Sequence, residues 1–410
     1  MIYLDKRIFF IFLLGFSSGL PLALTAGTLA FWLTESGTSN TAIGLFALVG
    51  VPYTFKFLWS PLVDRMPIPL LTHLLGRRRG WMLLSQVLLA AALGAMSQTH
   101  PAQNLSLVAL LAVLVAFLSA TQDIVIDAYR VDILDEKTYG AGAAMIVFGY
   151  RIGMLASGAG ALYLATYLPW ALVYQIMACL VGVGFLATLF CSEPQKQDLE
   201  ASDPHSWFYK AVIAPFVDFM TRPNWVLILL FITLYKLGDA FVSNMTSPFY
   251  LGVGFSKIEI ANITKIFGLL ATLLGSFVGG LCVGRLGILK ALLVCGLFQM
   301  FSNLAFVMQA YIGHDLSTLM LTIAVENLAG GMGTVALVAY LSKLCNASFT
   351  ATQYALLSSV MAIGRTFLSS PCGVIADTVS WPAYFAISTL VALPGMLLLV
   401  FLMRSDNRTT

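Results

Sequence analysis

The chain has 410 residues, of which 59% are hydrophobic and 10% charged, and its mean hydropathy is +0.89. A soluble domain of this length carries roughly a quarter charged residues, so this chain cannot clothe a globular surface in polar groups, and lipid is its expected solvent. The formal net charge of +3 says little until the charges are placed, while six scattered cysteines without a CxxC pair and four distant histidines exclude any metal-ligand spacing.

The first apolar stretch is long and no small-residue cleavage site follows it, which makes it a spanning helix rather than a signal peptide. A bilayer-crossing helix needs about 20 mainly apolar residues. On that measure the N-terminal half predicts helices at 8–33, 42–62, 81–99, 106–130, 140–163 and 171–191. The second half predicts them at 225–249, 257–283, 289–309, 316–342, 352–375 and 382–403. No alternating barrel pattern occurs, so helices are the only spanning solution left. The expected fold is therefore all-α and integral to the membrane. The longest polar stretch divides six helices from six, giving an N-terminal half over 1–191, a linker over 192–224 and a C-terminal half over 225–410.

Basic residues gather on one side of this plan, at Lys6 and Arg7, Arg77 to Arg79, Lys137, Arg222, Lys343 and Arg404. That asymmetry predicts cytoplasmic termini. The halves also echo each other in order. Phe31-Trp32-Leu33 matches Phe249-Tyr250-Leu251, Arg65 matches Arg285, and Ala128-Tyr129 matches Ala339-Tyr340. Two halves related in this way imply a substrate site between them near the midplane.

Nine ionisable residues fall well inside the spans: Lys56, Asp123, Asp127, Arg151, Lys236, Asp239, Lys265, Glu326 and Arg365. Facing lipid at mid-depth, each would cost roughly 3 kcal/mol. Together that is about 27 kcal/mol, against a typical net stability of about 5–15 kcal/mol. They must pair internally or line a wet cavity. Asp123, Asp127 and Arg130 share one face of their helix, and Lys236 and Asp239 share a face of another. Internal pairing that fixes helix register is one reading of each residue. For the set, five bases against four acids leave a positive excess that suits an anionic substrate. The carboxylates Asp123, Asp127, Asp239 and Glu326 are candidate proton carriers, since a low dielectric raises their proton affinity.

The pairs Gly15/Gly19, Gly149/Gly153 and Gly275/Gly279 read as close helix packing, and Pro21 and Pro52 as kinks. Asp64-Arg65 and Gly284-Arg285 sit at equivalent turns and read as gate latches, carried by Asp64, Arg65 and Arg285. The run Arg77-Arg78-Arg79 reads as a topology signal. No P-loop, GxSxG or HExxH pattern occurs, so ATP-driven pumping and hydrolysis have no sequence basis, and the chain is not expected to be an enzyme.

Seven segments resemble the muropeptide permease family, AmpG, of the major facilitator superfamily. They are IGLFALVGVPYTFKFLWSPLVDR (43–65), LGRRRGW (75–81), SATQDIVIDAYRVDIL (119–134), GYRIGM (149–154), LYKLGDAF (234–241), ENLAGGMGT (326–334) and FTATQYALLSS (349–359). The resemblance implies a major facilitator fold of twelve transmembrane helices in two pseudo-symmetric six-helix halves. It implies proton-coupled import, by alternating access, of anhydro-muropeptides (GlcNAc-anhydroMurNAc with or without peptide) from periplasm to cytoplasm. The expected setting is the bacterial inner membrane. The expected state is a monomer with the proton gradient in place of a cofactor and no nucleic-acid partner. It places Lys56, Arg151, Lys236, Lys265 and Arg365 on substrate carboxylates, and Gln122, Tyr129, Tyr150, Asn327 and Gln353 on sugar hydroxyls. Asp123 and Asp127, then Glu326, would carry protons. The alternatives are another bulky anion of the siderophore or acyl-nucleotide type on the same scaffold, or a membrane sensor that transports nothing.

Overall fold

The computed structural model describes residues 5–38, 40–194, 209–369 and 371–406, and the regular structure among them is helical throughout. In chain order the main helices are α1 (Lys6–Glu35), α2 (40–65), α3 (Arg77–Ser97), α4 (Leu105–Ile133), α5 (Glu136–Ala165) and α6 (Trp170–Phe190). There follow α7 (225–253), α8 (257–286), α9 (Ile288–Ile312), α10 (Leu316–Leu344), α11 (Thr350–Leu368) and α12 (Trp381–Asp406). Residues 195–208 of the predicted linker lie outside the described part.

Ten of these helices are long and apolar enough to cross a membrane. The two exceptions among the twelve predicted runs have physical reasons. In α2, Pro52 and Pro61 lack the N–H that an α-helix interior needs. The run is therefore split into short pieces, Val51–Phe55, Lys56–Leu58 and Ser60–Arg65. In α11 the polar Thr350, Thr352, Gln353 and Ser359 are buried alongside Ala351, Ala355 and Leu357, each at most 1% exposed, so the run is less apolar than the other spans. Pro21 acts as expected, since the first stretch of α1 ends at Leu24 and resumes at Gly27. Gly287, at φ +78°, is the single residue separating α8 from α9. Only glycine takes that conformation without strain.

The chain divides into two compact units. The first comprises Met1–Asp135, Met145–Phe216 and Cys345–Leu356, and the second Glu136–Ala144, Val217–Leu344 and Leu357–Thr410. The start of α5 thus belongs with the second unit, and the start of α11 with the first. In the first unit α4 lies against α3 and α1, and α6 packs on α3 and α1. Trp32 closes this core, with its ring 4.8 Å from Tyr174 and 6.1 Å from Trp170. In the second unit α8 crosses α10, and α9 packs on α10 and α12. Phe249 and Phe306 stand 4.9 and 5.0 Å from Phe385 in its aromatic cluster. The echoed aromatic motifs therefore occupy the cores of their respective units.

The glycine pairs sit where backbones touch. A Cβ on Gly149 would fall 2.1 Å from the Phe12 carbonyl oxygen of α1, and one on Gly19 2.1 Å from the Tyr150 carbonyl oxygen of α5. Backbone cannot retreat as a side chain can. Gly149→Val is therefore expected to destabilise the chain by about 1–3 kcal/mol or more, seen as a lower melting temperature of the detergent-solubilised protein. Gly94→Ala, where nothing lies within 4 Å of the new Cβ, is expected to melt with the parent.

Candidate functional site

Each unit carries a lysine–aspartate pair on its helices. In the first unit, Lys56 stands in the turn that interrupts α2, and its Nζ lies 3.8 Å from Asp127 Oδ2 of α4. Asp127 Oδ1 lies 3.5 Å from Arg130, one helical turn away, whose guanidinium sits 5.1 Å over the Tyr354 ring. The Asp127 side chain is 21% exposed and that of Lys56 10%, so the pair is not sealed. One turn earlier on α4, Asp123 accepts a hydrogen bond from Ser18 Oγ of α1 at 2.5 Å.

In the second unit, α7 breaks at Lys236, which ends Trp225–Tyr235 and precedes Leu237–Val253. The Lys236 ammonium donates to Asp239 at 3.0 Å, to Gln299 Oε1 at 3.2 Å and to the Gly330 carbonyl at 3.2 Å. Gln299 Nε2 is buried with no hydrogen-bond partner among the described residues. On α10, Glu326 accepts from Asn327 at 2.7 Å, and Asn327 accepts from Thr272 of α8 at 2.8 Å.

A third cluster lies in the first unit, at the end of α2. Asp64 is 3% exposed and ion-paired with Arg78 at 3.0 Å. It also accepts from the backbone N–H groups of Ala351 and Thr352 at 3.1 and 2.6 Å, in the first turn of α11. A carboxylate at a helix N-terminus faces the positive end of the helix dipole. Arg78 reaches Asp132 at 2.8 Å as well, and Asp132 accepts from Thr350 Oγ1 at 2.7 Å. Glu193 caps α3 by accepting from the N–H groups of Arg78 and Arg79 at 2.8 and 3.0 Å.

The other sequence-predicted residues are dispersed. Arg151 is partly buried and has no hydrogen-bond or ion-pair partner among the described residues. Tyr150 and Asp123 share the neighbourhood of the buried Tyr53 hydroxyl. Tyr129 is instead buried beside Cys191. Gln122 is fully buried and donates to the Ser17 carbonyl at 2.9 Å, and Gln353 donates to the Pro215 carbonyl at 3.1 Å. Backbone carbonyls thus accept from both amides. Lys265 and Arg365 lie on α8 and α11, and their side chains fall outside the described part.

At the predicted gate, Arg65 stacks 5.2 Å over the Phe349 ring and its Nε is buried without a hydrogen-bond partner among the described residues. Arg285 is exposed. The second half does not repeat the Asp64 network, because Gly284 supplies no carboxylate at the equivalent turn. Sequence reasoning missed Gln299 and the role of Arg78, which it took as one member of a topology signal. The one hint was Asp132, a third acid on the same helix as Asp123 and Asp127.

Comparison with known proteins places this geometry in context. Residues 11–312 match the family model described as Major Facilitator Superfamily. The chain is 44% identical over 401 residues to the anhydromuropeptide permease of Escherichia coli, covering 97% of this chain and 80% of that protein. It is 40% identical over 410 residues to putative transporter AmpG 4 of Rickettsia conorii, covering 99% of both. Among solved structures it resembles the major facilitator transporter FucP in its outward conformation, with a TM-score of 0.73 at 13% identity over 98% of this chain and 99% of that one. The proton:xylose symporter XylE superposes with a TM-score of 0.72 at 12% identity, over 96% and 94%.

Proposed function

We propose that this chain, which belongs to the AmpG muropeptide permease family of the major facilitator superfamily, imports anhydro-muropeptides across the bacterial inner membrane, with both termini cytoplasmic. The membership and the ten apolar spans make it a multi-pass membrane protein. The observation that carries the reading is the lysine–aspartate pair in each unit, Lys56–Asp127 and Lys236–Asp239.

A stem-peptide carboxylate competes with the aspartate for the lysine. Protonating Asp127 or Asp239 removes that competitor and frees the ammonium for the substrate. The sum of lysine, neutral carboxyl and substrate carboxylate is uncharged, so it avoids the penalty of an unpaired charge in a low dielectric. Substrate and proton then enter together, and the proton gradient drives import. Arg151, without an ion-pair partner among the described residues, is a further carboxylate ligand, and Lys265 and Arg365 complete the basic set. Tyr150 and Asn327, with the Gln299 Nε2 group, supply hydrogen bonds to sugar and peptide. Asp123 and Glu326 are secondary proton carriers. Asp64 and Arg65 form the gate at the start of α11, while Arg285 adds only charge.

The test is uptake of radiolabelled anhydro-muropeptide into liposomes holding the purified monomer, with and without an imposed gradient, acid outside. Gradient-driven accumulation is expected, and Asp127→Asn is expected to abolish it. Uptake that ignores the gradient would remove the coupling. Folded protein that carries a siderophore or an acyl-nucleotide, but no muropeptide, would move the cargo to those anions.

A further inference from the structure

A cavity of about 250 Å³ opens at one end of the second unit, where α7 and α9 begin and α10 and α12 end. Its lining residue nearest Lys236 along α7 is Ile228, eight residues away or roughly 12 Å at 1.5 Å per residue, and neither Lys236 nor Asp239 lines it, so it is separate from the lysine–aspartate pair. Arg222 and Lys343 line it together with Asn224 and Ser405, and Ile228 and Leu402 supply apolar wall. Pockets for drug-sized ligands run to about 300–1,000 Å³. This one suits a single anionic group rather than a whole sugar–peptide.

Both cations are set for that role. The Arg222 guanidinium donates to the Leu344 carbonyl at the end of α10, lies 5.2 Å over the Phe219 ring and stands 3.9 Å from Asp218. Lys343 Nζ lies 2.9 Å from Glu136, in a pair whose side chains are 45% and 64% exposed. Such a surface pair is weak and exchanges readily. Lys290 and Arg404, next in sequence to the lining residues Leu289 and Ser405, are exposed and have no ion-pair partner among the described residues. Two cations therefore line the cavity, and two more stand on exposed positions beside its rim in sequence. Asn224 donates to Ser405 Oγ at 2.8 Å instead of capping α7, whose first turn has no side-chain cap. Farther along α7 and α12, Val226, Leu230, Leu397 and Phe401 are 43–62% exposed. In a membrane-spanning chain these faces meet acyl chains.

We propose that this cavity binds a phosphate-bearing anion, the headgroup of an anionic phospholipid, with its phosphate held by Arg222 and Lys343 and its acyl chains along Val226, Leu230, Leu397 and Phe401. Guanidinium and ammonium together match a phosphodiester oxygen pair. Basic pockets at the cytoplasmic ends of transmembrane helices favour anionic lipid for the same reason. Free phosphate offers the same chemistry without the apolar part.

Native mass spectrometry of the full chain, delipidated and then given equal amounts of phosphatidylglycerol and phosphatidylcholine, tests this. Phosphatidylglycerol adducts are expected to dominate, and Lys343→Gln to reduce them by about tenfold, the loss of one charge-assisted contact. Ser405→Asp keeps an acceptor for Asn224 while adding a negative charge to the cavity wall, and is expected to reduce them at least as far. The melting temperatures of both variants show that they remain folded. A parallel melt in inorganic phosphate separates the sources. If phosphate stabilises the parent but not Ser405→Asp, while lipid adducts ignore both variants, the site takes free phosphate and the lipid assignment falls. If phosphatidylcholine binds equally well, or neither ligand responds to either substitution, the cavity is no anion site.

Discussion

Arg78→Ala is expected to cost about 3–5 kcal/mol, the range for removing one partner of a buried ion pair. The effect should appear as a sharply lower melting temperature of the purified protein. Arg78 and Asp64 each have side chains 3% exposed, and Asp132 is 14% exposed. Alanine would leave two carboxylates without their shared cation. Asp64 would keep the hydrogen bonds from Ala351 and Thr352 in the first turn of α11. Asp132 would keep only Thr350 Oγ1 among the contacts described above, so it bears more of the loss. Arg78→Lys should cost less, because it retains the charge, but it cannot hold two carboxylates with a planar fork. If Arg78→Ala melted with the parent, the carboxylates would have to be protonated or hydrated already, and the network would not hold the start of α11.

The helices were legible because lipid imposes a length and an apolarity that water does not, and every predicted run has a helix within it. Their breaks were only partly legible. Pro21 and Pro52 announced theirs, while the break at Lys236 falls at a residue whose ammonium bonds Gly330 and Gln299 on neighbouring helices. Local spacing likewise gave the pairs within one helix: Asp127 with Arg130, and Lys236 with Asp239. Pairs across helices depend on packing that no periodicity encodes. Lys56 meets Asp127 from another helix, and Arg78 meets Asp64 and Asp132 from two others. The same gap left the partners of Gln122 and Gln353 unread. A polar residue in an apolar run signals that it has a partner, but not whether the partner is a solute or a backbone carbonyl.

Neutralising one pair on both sides, Lys236→Met with Asp239→Asn, is expected to separate a transport role from a packing role. The single change Lys236→Met leaves Asp239, 23% exposed, without its cation and Gln299 Oε1 and the Gly330 carbonyl without their shared donor, and should lower stability by about 3 kcal/mol. Removing both charges is usually close to neutral, because the desolvation penalty goes with the attraction. The double variant should therefore melt within about 1 kcal/mol of the parent. Its uptake should nevertheless stay lost. A substrate carboxylate would have no ammonium to meet, and an interaction of 2–5 kcal/mol corresponds to at least tenfold in affinity. Recovery of uptake together with stability would mean that the pair only sets the register of α7. The corresponding change in the first unit, Lys56→Met with Asp127→Asn, starts from a looser 3.8 Å contact. Its single variants should therefore cost less stability than Lys236→Met, while its effect on gradient-driven uptake should be as large. That contrast follows if the lysines are kept for the solute, and fails if they are kept for the fold.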